Sequence, residues 1–335
     1  MLYRAYGLVI ESDTPLPELP SLGGGALREA DLKVALRAWR CEPPRAEEIL
    51  YSRASPKGEP WLRVARTQRG YYLLSEAGIA DFLVDPTGRE IKCCRVEIGT
   101  DEVAVRHALL DWVLPLVLNL QGKQPLHASS VLTPEGLLAF VGPSGSGKST
   151  TAAALMTEGY PVVADDCLLL NKHLETGAYI GVPAYPSLRL WDDSIEALGL
   201  VKVDEPALAK NIPKRRITPF SEHDGTRTPS YQLKCLYLLS RDRYHEEHLP
   251  RLETITGREA LIRLLNCAWI LDPTDKVALV RRFRFFADVV QKVETKSLHL
   301  CSDLNLLPEV RRLVLADIGR LPAIELQKTC SPHSP

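Results

Sequence analysis

The sequence predicts an α+β or α/β protein: a mixed-sheet core with a phosphate-binding loop, preceded by a β-rich N-terminal region. Three observations predict it. Short apolar and β-branched runs, separated by Gly, Pro and charged turns, fill roughly the first hundred residues. An apolar strand-length run at 137–141 enters the glycine-rich octet GPSGSGKS at 142–149, and a helical pattern follows. Helix-spaced apolar residues then recur through the last third. With 335 residues, 45% hydrophobic and 25% charged, the chain suits two domains or one large one and can bury a substantial core.

The elements follow in order. LYRAYGLVIES reads as strand and is broken by TPLPELP; SLGGGALREA reads as a loop. DLKVALRAW, WLRVARTQ, GYYLLSE, ADFLVD and EIKCCRVEI read as short strands, with a hairpin turn at DPTG, 85–88. Val105, Leu109, Trp112, Val113 and Leu116 predict a helix over 103–121, which Pro115 is placed to kink. LHASSVL and GLLAFVG flank the turn at 133–136 and predict a hairpin. STTAAALMTEG predicts a helix closed by Gly159, and YPVVADDCLLL a strand, turn and strand. SIEALGL reads as a short helix, 208–230 as loop and QLKCLYLLS as strand. Helices are expected at 257–266, 274–293 and 304–318, and a frayed tail after them. The domain boundaries expected are 1–100, 101–325 and a tail at 326–335.

Composition excludes several functions. Lys and Arg number 41 against 42 Asp and Glu, so no basic excess serves nucleic acid or an anionic membrane, and no helix-turn-helix signature is present. The longest apolar stretch, 112–120, is too short to span a bilayer. The 8 cysteines form no CxxC pair. No secretory signal opens the sequence, and the expected location is the cytoplasm. His245 and His248, in HEEH, lack metalloprotease spacing and read as exposed. Cys93 and Cys94 fall on adjacent strand positions, which point to opposite faces. His107 and His299 have no partner visible in the sequence.

The chemistry concentrates in the middle third. Gly142, Pro143, Ser144, Gly145, Ser146, Gly147, Lys148 and Ser149 match GxxxxGK[ST]. Such a loop turns successive N–H groups onto phosphate oxygens, and the helix behind it adds its N-terminal dipole. The Lys148 side chain is suited to the β- and γ-phosphates and the Ser149 hydroxyl to Mg²⁺. Asp165 and Asp166 follow a strand-like run, where one carboxylate suits the metal and the other a proton from an attacking hydroxyl. His127 is a candidate acid or base. Arg189 is a candidate for bidentate contact with a phosphate or carboxylate. Lys214, Arg215 and Arg216 form a basic cluster suited to a γ-phosphate or an acidic peptide.

Together, HASSV at 127–131, GPSGSGKSTTAAAL and GYPVVADD resemble the catalytic domain of HPr kinase/phosphorylases. YRAYGLVIESDTPLPEL and YPSLRLW look more like the divergent HPr-kinase-related proteins. These include kinases of lasso-peptide biosynthesis that phosphorylate a precursor serine. The strong match covers 126–166. The resemblance implies a phosphoenolpyruvate-carboxykinase-like core, ATP and Mg²⁺ as cofactors, and phosphate binding by Lys148 and the 142–150 backbone, Thr150 included. It implies Ser149 and Asp166 as Mg²⁺ ligands, Asp165 as general base, His127 beside it and a homo-oligomer. The glycine-rich segment that follows the Asp pair in HPr kinase/phosphorylases is replaced here by GAYIGVPAYPSLRLW, so HPr as substrate and the reverse reaction do not carry over. The expected acceptor is a serine of a peptide or small protein. A small-molecule hydroxyl such as free serine, or a nucleotide switch without an acceptor, remain the alternatives.

Overall fold

Two large sheets, joined by one broken helix, carry the structure. The computed structural model describes residues 1–22, 29–37, 43–54, 58, 60–183, 188–200, 214–217, 230–241 and 250–319. The strands of the first sheet are β1 (Leu2–Ala5), β2 (Leu8–Ser12), β3 (Leu32–Ala35), β4 (Ala46–Ala54), β5 (Pro60–Thr67), β6 (Tyr72–Glu76), β7 (Ala80–Val84) and β8 (Glu90–Val96). They run in the order β1-β2-β3-β8-β7-β6-β5-β4. The 85–88 turn joins β7 to β8, with the Gly88 N–H donating to Asp85 O at 3.0 Å. β4 is an element that sequence reading misses. Its residues AEEILYSRA are mostly exposed, because it is the edge strand, and so lack apolar alternation.

The predicted helix over 103–121 forms, in three parts: α1 (Glu102–Ala108), a π-helical turn (Leu109–Val113) and α2 (Leu114–Val117). Pro115 explains the break. It has no N–H for Asp111 O, and its ring would clash with that carbonyl in a regular α-helix. The preceding turn widens instead, and the Leu114 N–H bonds Leu109 O. Asp101 caps the start, accepting from the Ala104 N–H at 2.7 Å. The helix packs Val105, Leu109, Trp112, Val113 and Leu116 on the inner face of the first sheet, against Leu62, Leu74, Phe82 and Ile91. Cys167, Leu169, Val182 and Leu271 join the same core, so the two sheets share it.

The second sheet holds β9 (Gln124–Leu126), β10 (Ala128–Thr133), β11 (Gly136–Val141), β12 (Val162–Ala164), β13 (Leu168–Lys172), β14 (Tyr179–Val182), β17 (Tyr231–Arg241), β18 (Arg251–Thr254) and β19 (Glu294–Leu300). A small separate pair is β15 (Leu188–Leu190) with β16 (Arg215–Ile217). β11, β17 and β19 run parallel, whereas β10 pairs antiparallel with both β11 and β12. The predicted 133–136 hairpin is β10–β11, with Thr133 opposite Gly136. The helices are α3 (Lys148–Met156), α4 (Asp192–Ala197), α5 (Gly257–Cys267), α6 (Lys276–Lys292) and α7 (Leu307–Asp317).

The basic cluster, read as loop, is corrected by β16: Arg216 pairs in register with Arg189. β18 and β19 are further additions. ETKSLHL looks half polar, and its burial comes from pairing with β17. Cys93 and Cys94 are both buried, and none of the described cysteines forms a disulfide. Residues 23–28, 184–187, 208–213, 218–229, His245, His248, Cys41, Cys330 and the 326–335 tail lie outside the described residues. Among the described residues no helix is long and apolar enough to cross a membrane.

Candidate phosphate-binding and acid–base site

The antiparallel pairing decides where the site forms. Ala128 faces Val141 and Ser130 faces Ala164, so His127, Gly142 and Asp165 emerge at one edge of the second sheet. That edge is the C-terminal end of β11, the usual position of ligand sites in open α/β sheets. His127 lies inside the run LHASSVL, read as one strand, but the structure breaks that run at it. It sits between β9 and β10, its N–H donating to Cys267 O at 2.8 Å.

The loop from Gly142 to Gly147 joins β11 to α3. Gly147 has φ +99°, which a residue with a side chain rarely adopts, and the Thr151 N–H and hydroxyl both bond its carbonyl, at 2.8 and 2.9 Å. A Cβ on Gly142 would lie 2.6 Å from Ser146 Oγ, so the loop closes only over glycine there. Pro143, Ser144 and Gly145 form the exposed crown, and Ser146 and Lys148 are buried beneath it. Lys148 Nζ donates to Pro143 O at 3.0 Å. Burial lowers its pKa, opposed by the charges of Asp166 and Asp165. Ser146 Oγ is buried with no hydrogen-bond partner among the described residues. The Thr150 hydroxyl lies 3.2 Å from Ser194 Oγ and ties α3 to α4.

The two aspartates diverge. Asp166 has φ +59°, and the Cys167 N–H reaches back to Asp165 O at 2.7 Å, a tight turn that sends adjacent carboxylates in different directions. Asp165 points inward and is only 8% exposed. It accepts from Ser149 Oγ at 2.8 Å, from the Arg189 N–H at 3.0 Å and from Ser129 Oγ. Burial and the neighbouring Asp166 charge raise its pKa. Asp166 faces the other side, 3.3 Å from His127 Nε2, and is ion-paired with Arg189. Burial opposes its ionisation, but the Arg189 guanidinium and His127 hold its carboxyl well below the usual range. Burial pushes the His127 pKa down, against the Asp166 hydrogen bond. Trp269 backs this side: its ring lies 5.8 Å from His127, and its Nε1–H donates to Asp166 O at 3.4 Å.

Arg189 is engaged within the protein, where the sequence reading had it reaching for a phosphate or carboxylate ligand. Its guanidinium bridges Asp166 and Asp111, a residue of the π turn. The network continues through His107 Nδ1, 3.4 Å from Asp111 and 3.3 Å from Arg216, to Glu18. His107 therefore has partners, as does His299, 3.0 Å from Glu253. Lys214 lies 5.7 Å over the Trp191 ring, and its charge reaches Lys148 and Asp166. Arg215 pairs with Asp192 at 2.6 Å. Sequence reading missed Ser129, Asp111 and Trp269. Ser129 lies in the HASSV run two residues after His127, whereas Asp111 and Trp269 reach the site only through tertiary packing.

Fold and site thus define a class: a β-strand, glycine-rich loop and helix on a mixed sheet, with an acidic pair at the same edge. No family model matches the chain, and no curated protein matches it. Among solved structures it is similar to the Hpr(Ser) kinase/phosphatase from Coxiella burnetii, over 58% of this chain and 95% of that one, at 14% identity and a TM-score of 0.29.

Proposed function

We propose that this chain is a Mg²⁺-dependent phosphotransferase that moves the γ-phosphoryl group of a nucleoside triphosphate to a hydroxyl, with a serine of a peptide or small protein as acceptor. One observation carries the reading: the tandem aspartates face opposite sides, one onto Ser149 in the first turn of α3 and one onto His127. A metal shared with phosphates needs only one or two carboxylates from protein, and Ser149 with Asp165 fits that donor set. The orphaned Ser146 hydroxyl and buried Lys148 fit the phosphates.

The roles expected for the pair are therefore exchanged in this proposal. Asp165, buried behind Ser149, holds the metal; Asp166, on the His127 side, takes the acceptor proton. When bound, the metal neutralises charge on the β- and γ-phosphates. Lys148 and the loop N–H groups hold the charge that develops on transfer. Asp166 orients the hydroxyl and receives its proton, with Arg189 and His127 fixing the carboxylate. Phosphoryl transfer needs little base strength, so an acidic but fixed carboxylate suffices. The acceptor side is formed by Trp269 and the exposed edge strand β4, whose Arg53 lies 5.9 Å over the Trp269 ring. An extended peptide adding to β4 would reach this side.

The test is nucleotide titration with and without Mg²⁺. Lys148→Ala should abolish binding, Asp165→Asn should remove the Mg²⁺ dependence, and Asp166→Asn should leave both intact. Equal binding by wild type and Lys148→Ala contradicts the reading.

A further inference from the structure

Beside the phosphate loop lies a small cavity of about 260 Å³ that the phosphotransfer chemistry does not use. It opens between the C-terminal ends of β11 and β17 and the last turn of α5. Val141, Leu238 and Leu239 form an apolar wall, and Gly142 and Pro143 join it to the loop. Arg263, Asn266 and Cys267 complete the lining.

The polar groups differ in what they can offer. Arg263 is committed: it donates to Leu238 O at 2.9 Å, Leu239 O at 3.0 Å and Ser297 Oγ at 2.9 Å, and it lies 3.6 Å from Glu259. It seals the floor and presents no cation to a further phosphate. Asn266 is exposed at the rim and brings an amide, a donor beside an acceptor. Cys267 fixes this wall to the catalytic edge through its carbonyl, which accepts the His127 N–H.

At 260 Å³ the space falls below the roughly 300–1,000 Å³ of sites for drug-sized ligands, and it suits one flat bicyclic ring rather than a peptide. An Asn amide pairs bidentately with the N6/N7 edge of adenine, whereas guanine shows two acceptors on the same edge. We propose that this cavity takes the base of the nucleoside triphosphate and that Asn266 reads it as adenine. The inference rests on the nucleotide reading of the phosphate loop and adds to it a base site and a discriminating residue.

Two measurements on the full chain test it. In the first, alkylation of Cys267 by N-ethylmaleimide is followed by mass spectrometry with Mg-ATP, with Mg-tripolyphosphate or with neither, and the partly exposed Cys301 serves as internal reference. Mg-ATP should slow Cys267 labelling at least about tenfold without changing Cys301, and tripolyphosphate, although bound, should not. In the second, wild type should prefer ATP over GTP by about ten- to a hundredfold, and Asn266→Ala should lose that preference while keeping tripolyphosphate affinity. Cys267 labelling unchanged by bound ATP, or an ATP-to-GTP ratio unchanged in Asn266→Ala, overturns the base site alone. Failure of both ATP and tripolyphosphate to bind overturns the phosphate loop reading and this proposal with it.

Discussion

A single backbone angle separates the two functions assigned to the aspartates. With φ +59° at Asp166, the chain reverses within one residue, and the carboxylates end on opposite sides of the same turn. Asp tolerates this conformation better than a β-branched residue would. Arg189 then keeps Asp166 in place, one guanidinium bridging it to Asp111. Replacing Arg189 with Met should cut phosphoryl transfer about a hundredfold while nucleotide affinity changes little, checked by separate kcat and binding measurements. Affinity and transfer falling together would instead assign Arg189 to the nucleotide. The sequence displays Asp165 and Asp166 as a pair not far after a glycine-rich loop, but not which faces Ser149. That depends on the turn, and a one-residue reversal leaves no periodicity to read.

At the scale of elements, what is legible depends on whether local pattern or tertiary pairing makes the element. The 128–141 hairpin, the glycine-rich loop and α3, α5, α6 and α7 follow from turn residues and apolar spacing, and each is found near its expected bounds. β4, β16 and β19 are different. AEEILYSRA, RRI and the start of ETKSLHL carry charges because one side of each stays near solvent. Only the partner strand makes them strands. The π turn lies between these cases: Pro115 announces a break, but not that the widened turn delivers Asp111 to Arg189. Asp111→Asn leaves the largely enclosed Arg189 with one carboxylate fewer and should lower stability by about 2 kcal/mol. Denaturant unfolding checks this; a change under 0.5 kcal/mol would place Asp111 outside the network.

Across the whole molecule, the N-terminal sheet is tied to the site at several points. The Tyr6 N–H donates to Pro183 O at 3.1 Å, and the Tyr6 side chain hydrogen-bonds Cys167, next to Asp166. Tyr51 donates to Ile270 O at 3.0 Å, and Arg66 pairs with Asp272, on either side of Leu271 of the shared core. A chain lacking residues 1–96 should therefore fail to fold, as read by circular dichroism and thermal melting. A cooperative melt from that fragment would show that the catalytic part stands alone.

The same interface sets a pH dependence. Burial raises the Glu76 carboxyl to about 7, with the Asp111 charge adding and the Trp112 N–H opposing. The folded state thus holds a proton that the unfolded state has already released, and stability falls as pH rises from about 4.5 to about 7. Glu76→Gln, which needs no proton, should gain about 2–3 kcal/mol at pH 8 and nothing at about pH 4. An equal gain at both pH values would remove Glu76 from this account.

The most direct test of the central claim is transfer of labelled γ-phosphate from Mg-ATP to a pool of serine-bearing peptides. Free serine and an acceptor-free control run in parallel, using wild type, Asp165→Asn and Asp166→Asn. The expected result is label on peptide with wild type, and none with Asp166→Asn despite full nucleotide binding. Label on free serine alone would move the acceptor to a small molecule. Transfer by Asp166→Asn at the wild-type rate, or loss of nucleotide only on hydrolysis without any acceptor, would contradict the account.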